Sequence, residues 1–563
     1  MKTITKIITR TIGIMLFAGC EIEQISYDRL TPGLYPSNYK EADDLMLGEM
    51  YTGFTPWNLL NSTQGWWARA NILADEFESA EYPACYAGFD LIPGGNALTG
   101  YGGFPVSEED NESNLPFFLY SQYIFKSVLT IERFKEVPMS DAERRLLYSQ
   151  LHYGIGWLAF MEYDMYGPIP LPGLDVLLHP KDNKAVPRAS DIEMQAFIEE
   201  HLKAALGEST VFENTYVADE VIRNNPSAVG LLPYQWPSTE YGRFTRGHAQ
   251  MALFDYYMMM GGMKERYPNF ETIDNRDAAY YWNEAEKRGR ELMRPEYGYA
   301  LVDDYNSLFT EATEQNTEVI YAMVCAYDLG NTFPSMCIPS DFPTPGQSMD
   351  KWNCYKMTWA FYETFEPGDV IRTERIITEY TSANGTVYNR AIDTTFSRNE
   401  KRPFQLGPLP CKIDYKTSKG MMSPVDVPIY RLGGAMLLLA EAIVRNGGDF
   451  AFGSEASNLV NEIRNRVNLA PISASSKAEF LDLVLKERGH ELWFEGHRRR
   501  DLIRHDKFIE KSIEKATNAH LPPVRIAKIS TLDDKGMYCY EKFPIPNRAI
   551  NESGGVIKQN FGY

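Results

Sequence analysis

The densest group of ionisable residues lies in one helical segment near the end of the chain. Glu487, Glu491 and Glu495 recur every four residues, with Arg488 between them and Arg498 just after. Side chains three or four positions apart on a helix are neighbours. Carboxylates at this spacing could act as acid and base, or they could pair with the arginines in a buried network. We interpret the segment as structural, because its acidic and basic residues alternate at ion-pair spacing.

The same segment comes close to a zinc motif without completing it. A zinc site of the H-E-x-x-H type needs two histidines four positions apart on one helix face. Here His490 and Glu491 begin the pattern, but Phe494 occupies the second histidine position and His497 lies three residues further on. The chain has 8 histidines and no other triplet stands out. We therefore predict no metal and no cofactor.

Hydrolytic chemistry has no specific signal in the sequence. Glycoside hydrolysis needs two carboxylates placed on either side of the bond. Pairs such as Asp75 and Glu78 arise by chance among 76 acidic residues. There is no G-x-S-x-G elbow, and the glycines of 94–103 lack the G-K-[ST] of a phosphate loop. A binding protein is the better hypothesis than an enzyme.

Aromatic residues in two Gly- and Pro-rich interruptions, 80–112 and 325–425, are the best candidates for ligand contact. A flat ring covers the C–H face of a sugar, while amide, carboxylate and guanidinium groups meet its hydroxyls. Long loops in a compact protein are commonly functional, and rings on supported loops lose little entropy on binding. We predict ligand contacts from Tyr82, Tyr86, Phe89, Tyr101, Tyr327, Trp352, Tyr355 and Trp359.

Two further aromatic groups have different interpretations. The adjacent Trp66 and Trp67 lie near a predicted helix end, and we expect them in the core. The segment 230–243 is a third candidate loop, and its aromatic residues are Tyr234, Trp236 and Tyr241.

The elements that must position these residues are mostly helices. Apolar periodicity and capping signals predict helices at 114–136, 140–166, 189–206, 245–261, 278–293, 430–445, 454–467 and 477–507. Ser140 and Glu143 form a capping-box pattern at the start of the second helix. Strand-like alternation is rare and short, so we predict a mainly α fold. The helices come in pairs, but no clean 34-residue repeat is present.

The composition describes a large globular protein with an acidic surface. Of 563 residues, 44% are hydrophobic, which is enough for a sizeable core and excludes global disorder. The formal net charge is −20 and no basic stripe offsets it, which argues against nucleic-acid binding. Six cysteines are scattered without metal spacing and allow fifteen pairings. They are Cys85, Cys325, Cys337, Cys354, Cys411 and Cys539, and buried free thiols are an equally good interpretation.

The N-terminus resembles a lipoprotein signal. Three basic residues in 2–10 precede a short apolar run at 12–17, and small residues stand directly before Cys20. That layout is typical of a secretory signal, and the run is too short to span a bilayer. We predict that 1–19 is a signal peptide and that Cys20 is lipidated. The alternative is an ordinary buried cysteine.

Several motifs in chain order resemble those of the SusD/RagB family. Segment 487–498 is similar to the family's E-R-x-x-E-L-x-F-E-G-x-R helix. The tail 543–563 is similar to its closing I-P-x-x-E-I-x-x-N…Q-N-x-G-Y, with Ala549 in place of Glu. Segment 430–442 is similar to its R-L-A-E…A-E-A helix. Further landmarks occur at 163–170, 243–249 and 304–320.

The resemblance implies a fold, a location and a function. The fold would be an α superhelix of TPR-like helix pairs with long decorating loops. It would form one domain over 20–563, with halves at about 21–320 and 321–563. The protein would be lipid-anchored at the outer face of the outer membrane, beside a SusC-like TonB-dependent barrel, and would capture oligosaccharides for it. The alternatives are capture of peptides or glycopeptides, as in the RagB branch, and a glycoside hydrolase.

Overall fold

The first half of the chain is built from helices that follow one another in space. A computed structural model of the protein describes residues 35–60, 66–79, 115–182, 185–218, 225–391, 404–518 and 523–563. The first helices are α1 Tyr39–Glu49, α2 Pro56–Leu59, α3 Trp66–Ile72, α4 Leu115–Phe134, α5 Asp141–Tyr166, α6 Leu174–Leu178, α7 Asp191–Ala205, α8 Arg246–Arg266 and α9 Ala278–Leu292. Helix α4 packs on α5, α5 on α7, α7 on α8, and α8 on α9. Each long helix therefore packs on the next, as in a helical stack.

The second half continues the stack through α13. Its helices are α10 Phe333–Cys337, α11 Trp359–Tyr362, α12 Val370–Thr373, α13 Leu432–Arg445, α14 Glu455–Arg466, α15 Lys477–Leu492, α16 Arg498–Arg504, α17 Phe508–Asn518, α18 Pro523–Ile529 and α19 Asn547–Glu552. Helix α13 packs on α9 from the first half and on α14 and α15 from its own half. The two halves therefore meet along helices.

The described strands are short and form antiparallel pairs. Strand β1 (Phe77–Ser79) pairs with β3 (Tyr355–Met357), and β2 (Val319–Met323) pairs with β8 (Val427–Arg431). Strand β4 (Ile376–Ile377) pairs with β7 (Leu409–Pro410), and β5 (Glu379–Thr381) pairs with β6 (Val387–Asn389). In register, Phe77 lies opposite Met357 and Ile376 opposite Pro410. The prediction of a mainly α fold is confirmed, and the long interruption after residue 325 has short strands and helices of its own.

Most predicted helices are confirmed to within a few residues, and the reason is local. At the start of α5 the Ser140 hydroxyl accepts from the backbone N–H of Glu143 at 3.3 Å. The Glu143 carboxylate accepts from the backbone N–H of Ser140 at 2.8 Å. This is the predicted capping box. The helix expected to end at Gly261 instead runs on to Arg266, because Gly261 faces the ring of Trp282, where a Cβ would lie 2.6 Å away.

The single helix predicted over 477–507 is wrong, because a turn divides it into α15 and α16. Phe494 and Gly496 have φ values of 67° and 85°, in the left-handed region that a right-handed helix does not use. A Cβ on Gly496 would lie 2.8 Å from the ring of Trp66. Glycine suits this turn, because the ring of a distant residue fills the space that a side chain would need.

A shared core joins the two halves of the chain. Trp66 and Trp67 are buried, as predicted. The Trp67 ring stacks on Phe333 at 3.9 Å and meets the edge of Phe494 at 4.6 Å, and its indole N–H donates to the Phe494 carbonyl at 3.1 Å. These contacts support the proposal that both halves form one domain.

The cysteine and N-terminal predictions have mixed outcomes. Cys354 is disulfide-bonded, whereas four others are free and buried: Cys325, Cys337, Cys411 and Cys539. The signal segment 1–19 and Cys20 lie outside the described residues. Within the part of the chain that the structure describes, no helix is both long and apolar enough to cross a membrane.

Candidate functional site

The charged segment near the C-terminus is a buried ion-pair network. The Arg431 guanidinium bonds to Glu495 at 2.8 Å, to Glu318 at 2.9 Å and to Glu491 at 2.6 Å. Burial alone would raise the pKa of Glu491, but Arg466, Arg431 and other arginines lower it to about 2. The structural interpretation of the segment is confirmed, because its carboxylates are paired with arginines in the core.

The near-zinc motif in this segment has other partners. The Nε2 atom of His490 lies 2.8 Å from the Thr364 hydroxyl, and its ring stacks on Phe365. Glu491 is bonded to arginines. In the described ranges, no group of three or more His, Cys, Asp or Glu side chains is placed to hold a metal ion.

A tight hairpin displays the first of the predicted ligand-binding rings. The backbones of Ala326 and Leu329 exchange hydrogen bonds of 3.2 and 3.1 Å, so Tyr327 and Asp328 form a two-residue tip. The side chain of Tyr327 is 52% exposed. Asp328 is exposed beside it, which places a ring face and a carboxylate together at the surface.

The base of this hairpin is fixed by Asn331. Its backbone exchanges hydrogen bonds of 3.1 and 2.8 Å with Ser423. Its buried side chain donates to the Val425 carbonyl at 2.7 Å and accepts from the backbone N–H of Phe333 at 3.1 Å. One amide therefore ties the hairpin to the segment before β8 and to the start of α10.

The loop that carries Trp352 is tied to the same segment. The Trp352 N–H donates to the Ser335 carbonyl at 2.7 Å, and the Asp350 N–H donates to the Gly420 carbonyl at 2.8 Å. The Ser335 hydroxyl donates to the Met421 carbonyl at 2.9 Å. Trp352 is half-buried against the main core, so its ring is held while part of it faces solvent.

The structure thus brings Tyr327 and Trp352 onto loops that share one support. We call the three segments 326–329, 348–352 and 419–422 the mid-chain surface. It offers two rings together with the exposed carboxylates of Asp328 and Asp350. Phe333, two residues after Asn331, stacks on Trp67 in the core. Supported rings with adjacent hydrogen-bonding groups suit a ligand with apolar faces and many hydroxyls.

The other predicted ring positions have different surroundings. Tyr355 lies in β3 and is only 3% exposed, with its ring centroid 6.1 Å from that of Trp67. It is a core residue, since strand pairing with β1 draws it inside, and it is not displayed on a loop as expected. Four positions lie outside the described residues: Tyr82, Tyr86, Phe89 and Tyr101.

Trp359 lies in a separate cleft of about 360 Å³ that also includes Asp75 and Lys511. Its indole N–H donates to the Phe404 carbonyl at 2.8 Å. The Arg390 guanidinium lies 4.5 Å from its ring centroid. One face of this ring is therefore covered by the protein's own side chain.

A cleft that the sequence indicated only in part lies at 234–243. Tyr234, Trp236 and Tyr241 line it, as do Tyr299 and Gln315. The first three lie in one aromatic, Pro-containing stretch, a local pattern that indicates a candidate binding loop. The last two come from distant positions and no local pattern marks them.

The C-terminal third of the chain is similar in sequence to known proteins. Residues 381–563 match the model of the SusD family. Over 139 residues the chain is 33% identical to the starch-binding protein SusD of Bacteroides thetaiotaomicron, an alignment that covers 24% of this chain and 22% of that protein. These two matches support the SusD/RagB family for the C-terminal third of the chain. The alignment spans less than a quarter of the length of this SusD relative.

SusD-like structures share the fold over nearly the whole chain. A SusD homolog from Bacteroides thetaiotaomicron has a TM-score of 0.69 at 19% identity and covers 95% of this chain and 99% of its own. A laminarin-binding SusD-like protein has a TM-score of 0.64 at 19% identity, with 94% and 100% coverage. Surface glycan-binding protein A from Bacteroides thetaiotaomicron, in complex with laminarihexaose, has a TM-score of 0.63 at 17% identity, with 92% and 100% coverage. The SusD-like fold predicted from the motifs is confirmed.

Proposed function

We propose that this SusD-family chain is a cell-surface glycan-binding protein and not an enzyme. It captures oligosaccharides and delivers them to a SusC-like TonB-dependent transporter in the outer membrane. The observation that carries the proposal is the mid-chain surface, where Tyr327 and Trp352 are held on loops with one support. The relatives named above as starch-, laminarin- and glycan-binding proteins add support.

The chemistry of this surface favours binding over catalysis. The two rings can cover the C–H faces of sugar units by dispersion and apolar burial. The carboxylates of Asp328 and Asp350 are exposed and can accept from hydroxyls.

The test is calorimetric titration of the mature chain with plant, host and microbial oligosaccharides and with a peptide pool. The double variant Y327A/W352A removes both rings. At about 1–2 kcal/mol for each ring, binding should weaken roughly 30- to 1,000-fold. Phe452→Ala is the matched control, because Phe452 is also an exposed aromatic residue but lies between α13 and α14.

Each outcome of the titration has a distinct meaning. Saturable binding of one glycan class, lost in the double variant and kept in the control, supports the proposal and names the substrate. Binding that survives the loss of both rings would remove the mid-chain surface as the site. A peptide signal with silence across all sugars would instead assign the RagB-type cargo.

The lipid anchor is proposed separately on Cys20. Cells that express the full chain should incorporate radiolabelled palmitate into the wild-type protein and not into Cys20→Ala, because thioether and amide acylation both need this residue. The measurement is autoradiography of the immunoprecipitated protein. Label of equal intensity in the variant would show that Cys20 is not the anchor.

A further inference from the structure

The cleft at 234–243 lies near the mid-chain surface and is lined by side chains that could hold a ligand. It is formed by the segment 234–243, by Tyr299 and by 315–320, and it has a volume of about 280 Å³. Pockets for small ligands begin near this size, at roughly 300 Å³. We call it the Trp236 cleft. A space this small accommodates one ring of a ligand or a short end of a chain.

The aromatic wall of the cleft is fixed by residues behind it. Tyr297 is buried, and Tyr234 meets it edge-on at 4.8 Å while Tyr299 stacks on it at 5.9 Å. The indole N–H of Trp236 donates to the Phe244 carbonyl at 2.7 Å. Rings that are already held in place lose little entropy when a ligand is added. The wall is therefore preorganised to cover a ring face.

The rim of the cleft carries two exposed amide side chains. The Nε2 group of Gln235 donates to the Tyr297 carbonyl at 3.3 Å, which orients its Oε1 atom. Gln315 has a φ of 59°, a left-handed conformation that is uncommon for a residue other than glycine. The Gln315 side chain is exposed where it lines the cleft. Each amide offers both donor and acceptor groups.

The charged groups of the cleft already have partners in the protein. Arg243 bonds to both oxygens of Asp43, at 2.8 and 2.6 Å, and to Glu240 at 2.5 Å. His248 is buried, and burial lowers its pKa to about 3, so the ring is neutral near pH 7. Arg243 is therefore shared between two carboxylates, and no other lining residue of the cleft is a cation. An anionic ligand would lose its hydration there without gaining a counter-ion.

From the fixed rings, the two amides and the guanidinium that is already paired, we propose that the Trp236 cleft binds one unit of a neutral sugar. The aromatic wall covers a C–H face, and the amides of Gln235 and Gln315 meet adjacent hydroxyls. A purely apolar ligand fits less well, because it would bury the amides without partners. The inference concerns a site separate from Tyr327 and Trp352.

The cleft and the mid-chain surface are neighbours through one carboxyl group. The Tyr241 hydroxyl, on the cleft wall, donates to Asp426 at 3.0 Å. Asp426 also accepts from the backbone N–H of Cys325 at 2.8 Å, next to the hairpin that carries Tyr327. A sugar chain longer than one unit thus has a second contact area close to the first.

The test uses the full mature chain with Y327A/W352A, so that the mid-chain surface no longer contributes. Saturation-transfer NMR titrations with glucose, galactose, mannose and xylose should show saturable binding of at least one of them. Glucuronate, which is an anion, should bind at least tenfold more weakly than the best neutral sugar. Adding Gln315→Ala to this background should weaken that sugar 5- to 10-fold, as expected for one lost hydrogen bond.

Controls separate this inference from the proposed function. Gln315 is exposed, so its replacement should leave the melting temperature unchanged, and Phe452→Ala in the same background should leave sugar binding unchanged. No saturable signal from any neutral sugar, or a signal indifferent to Gln315→Ala, would overturn the cleft assignment. Because oligosaccharide binding by the wild-type chain is measured separately, that result would leave the mid-chain proposal standing.

Discussion

Replacing Arg431 with methionine is expected to lower the free energy of unfolding by about 3–5 kcal/mol, the cost typical of breaking a buried ion pair on one side. The Arg431 side chain is 1% exposed and contacts Glu318, Glu491 and Glu495. Methionine fills much of the volume but leaves one carboxylate charge without compensation in the core. Urea denaturation at pH 7, followed by circular dichroism, measures the change.

Arg290→Met is the matched control for this prediction. Arg290 also contacts two carboxylates, those of Glu455 and Glu286, but its side chain is 45% exposed. Exposed pairs contribute roughly 0–1 kcal/mol, since water solvates each charge that is left alone. Equal losses from Arg431→Met and Arg290→Met would show that the network is not desolvated as the structure indicates.

The pKa of Lys412 is a second measurable property of the same network. Burial lowers the pKa of Lys412 to about 8, with Glu495 opposing and Arg431 adding to the decrease. Removing Arg431 takes away one nearby positive charge, so the pKa of Lys412 should rise in the variant. The network is therefore coupled, and its members are not independent surface pairs.

The sequence predicts helices well where the signal is local. The Ser140 capping box and the regular apolar spacing that follows it lie within one segment, so α5 could be located without any knowledge of its neighbours. The division between α15 and α16 could not. It depends on Trp66 against Gly496 and on Arg431 against Glu495, contacts between residues that are far apart in the chain.

The candidate site was predicted at the level of loops and not of individual rings. Trp352 and Tyr355 are three residues apart in one aromatic stretch, yet the first is half-buried and the second lies in the core. What separates them is the pairing of β3 with β1, whose partner Phe77 is remote in sequence. Composition can indicate an aromatic loop, but whether each ring lies in the core or at the surface depends on pairing with a distant strand.

The second large effect is a loss of folding stability at acidic pH. Lowering the pH from 7 to 5 should destabilise the wild-type chain by about 2 kcal/mol relative to His248→Gln. His248 lies at the start of α8, where its Nδ1 atom accepts from the backbone N–H of Thr245 at 3.3 Å. Burial lowers its pKa from 6.5 to about 3. Below pH 6.5 this histidine is protonated in the unfolded chain but stays neutral in the folded chain. The free energy of unfolding therefore decreases as the pH falls.

Glutamine is the informative replacement because it can still accept from Thr245 but does not titrate in this range. The measurement is the free energy of unfolding of both proteins in urea at pH 7 and pH 5. His179→Gln, at an exposed histidine, is the control for replacing a histidine by glutamine outside the core. Parallel pH profiles for wild type and His248→Gln, within about 0.5 kcal/mol, would contradict the burial of a neutral ring.

The difference in unfolding free energy between wild type and His248→Gln is the informative quantity. Other buried groups change the pH dependence of stability in both directions. Burial lowers the pKa values of His152 and His497 to about 3 and about 4, so these residues also make the folded chain less stable in acid. Asp426 acts oppositely, because burial raises its pKa to about 7 and its stabilising contribution is lost as the pH rises through that value. These contributions are common to wild type and His248→Gln and cancel in the difference. The slope that remains belongs to the one ring that caps α8 and lines the Trp236 cleft.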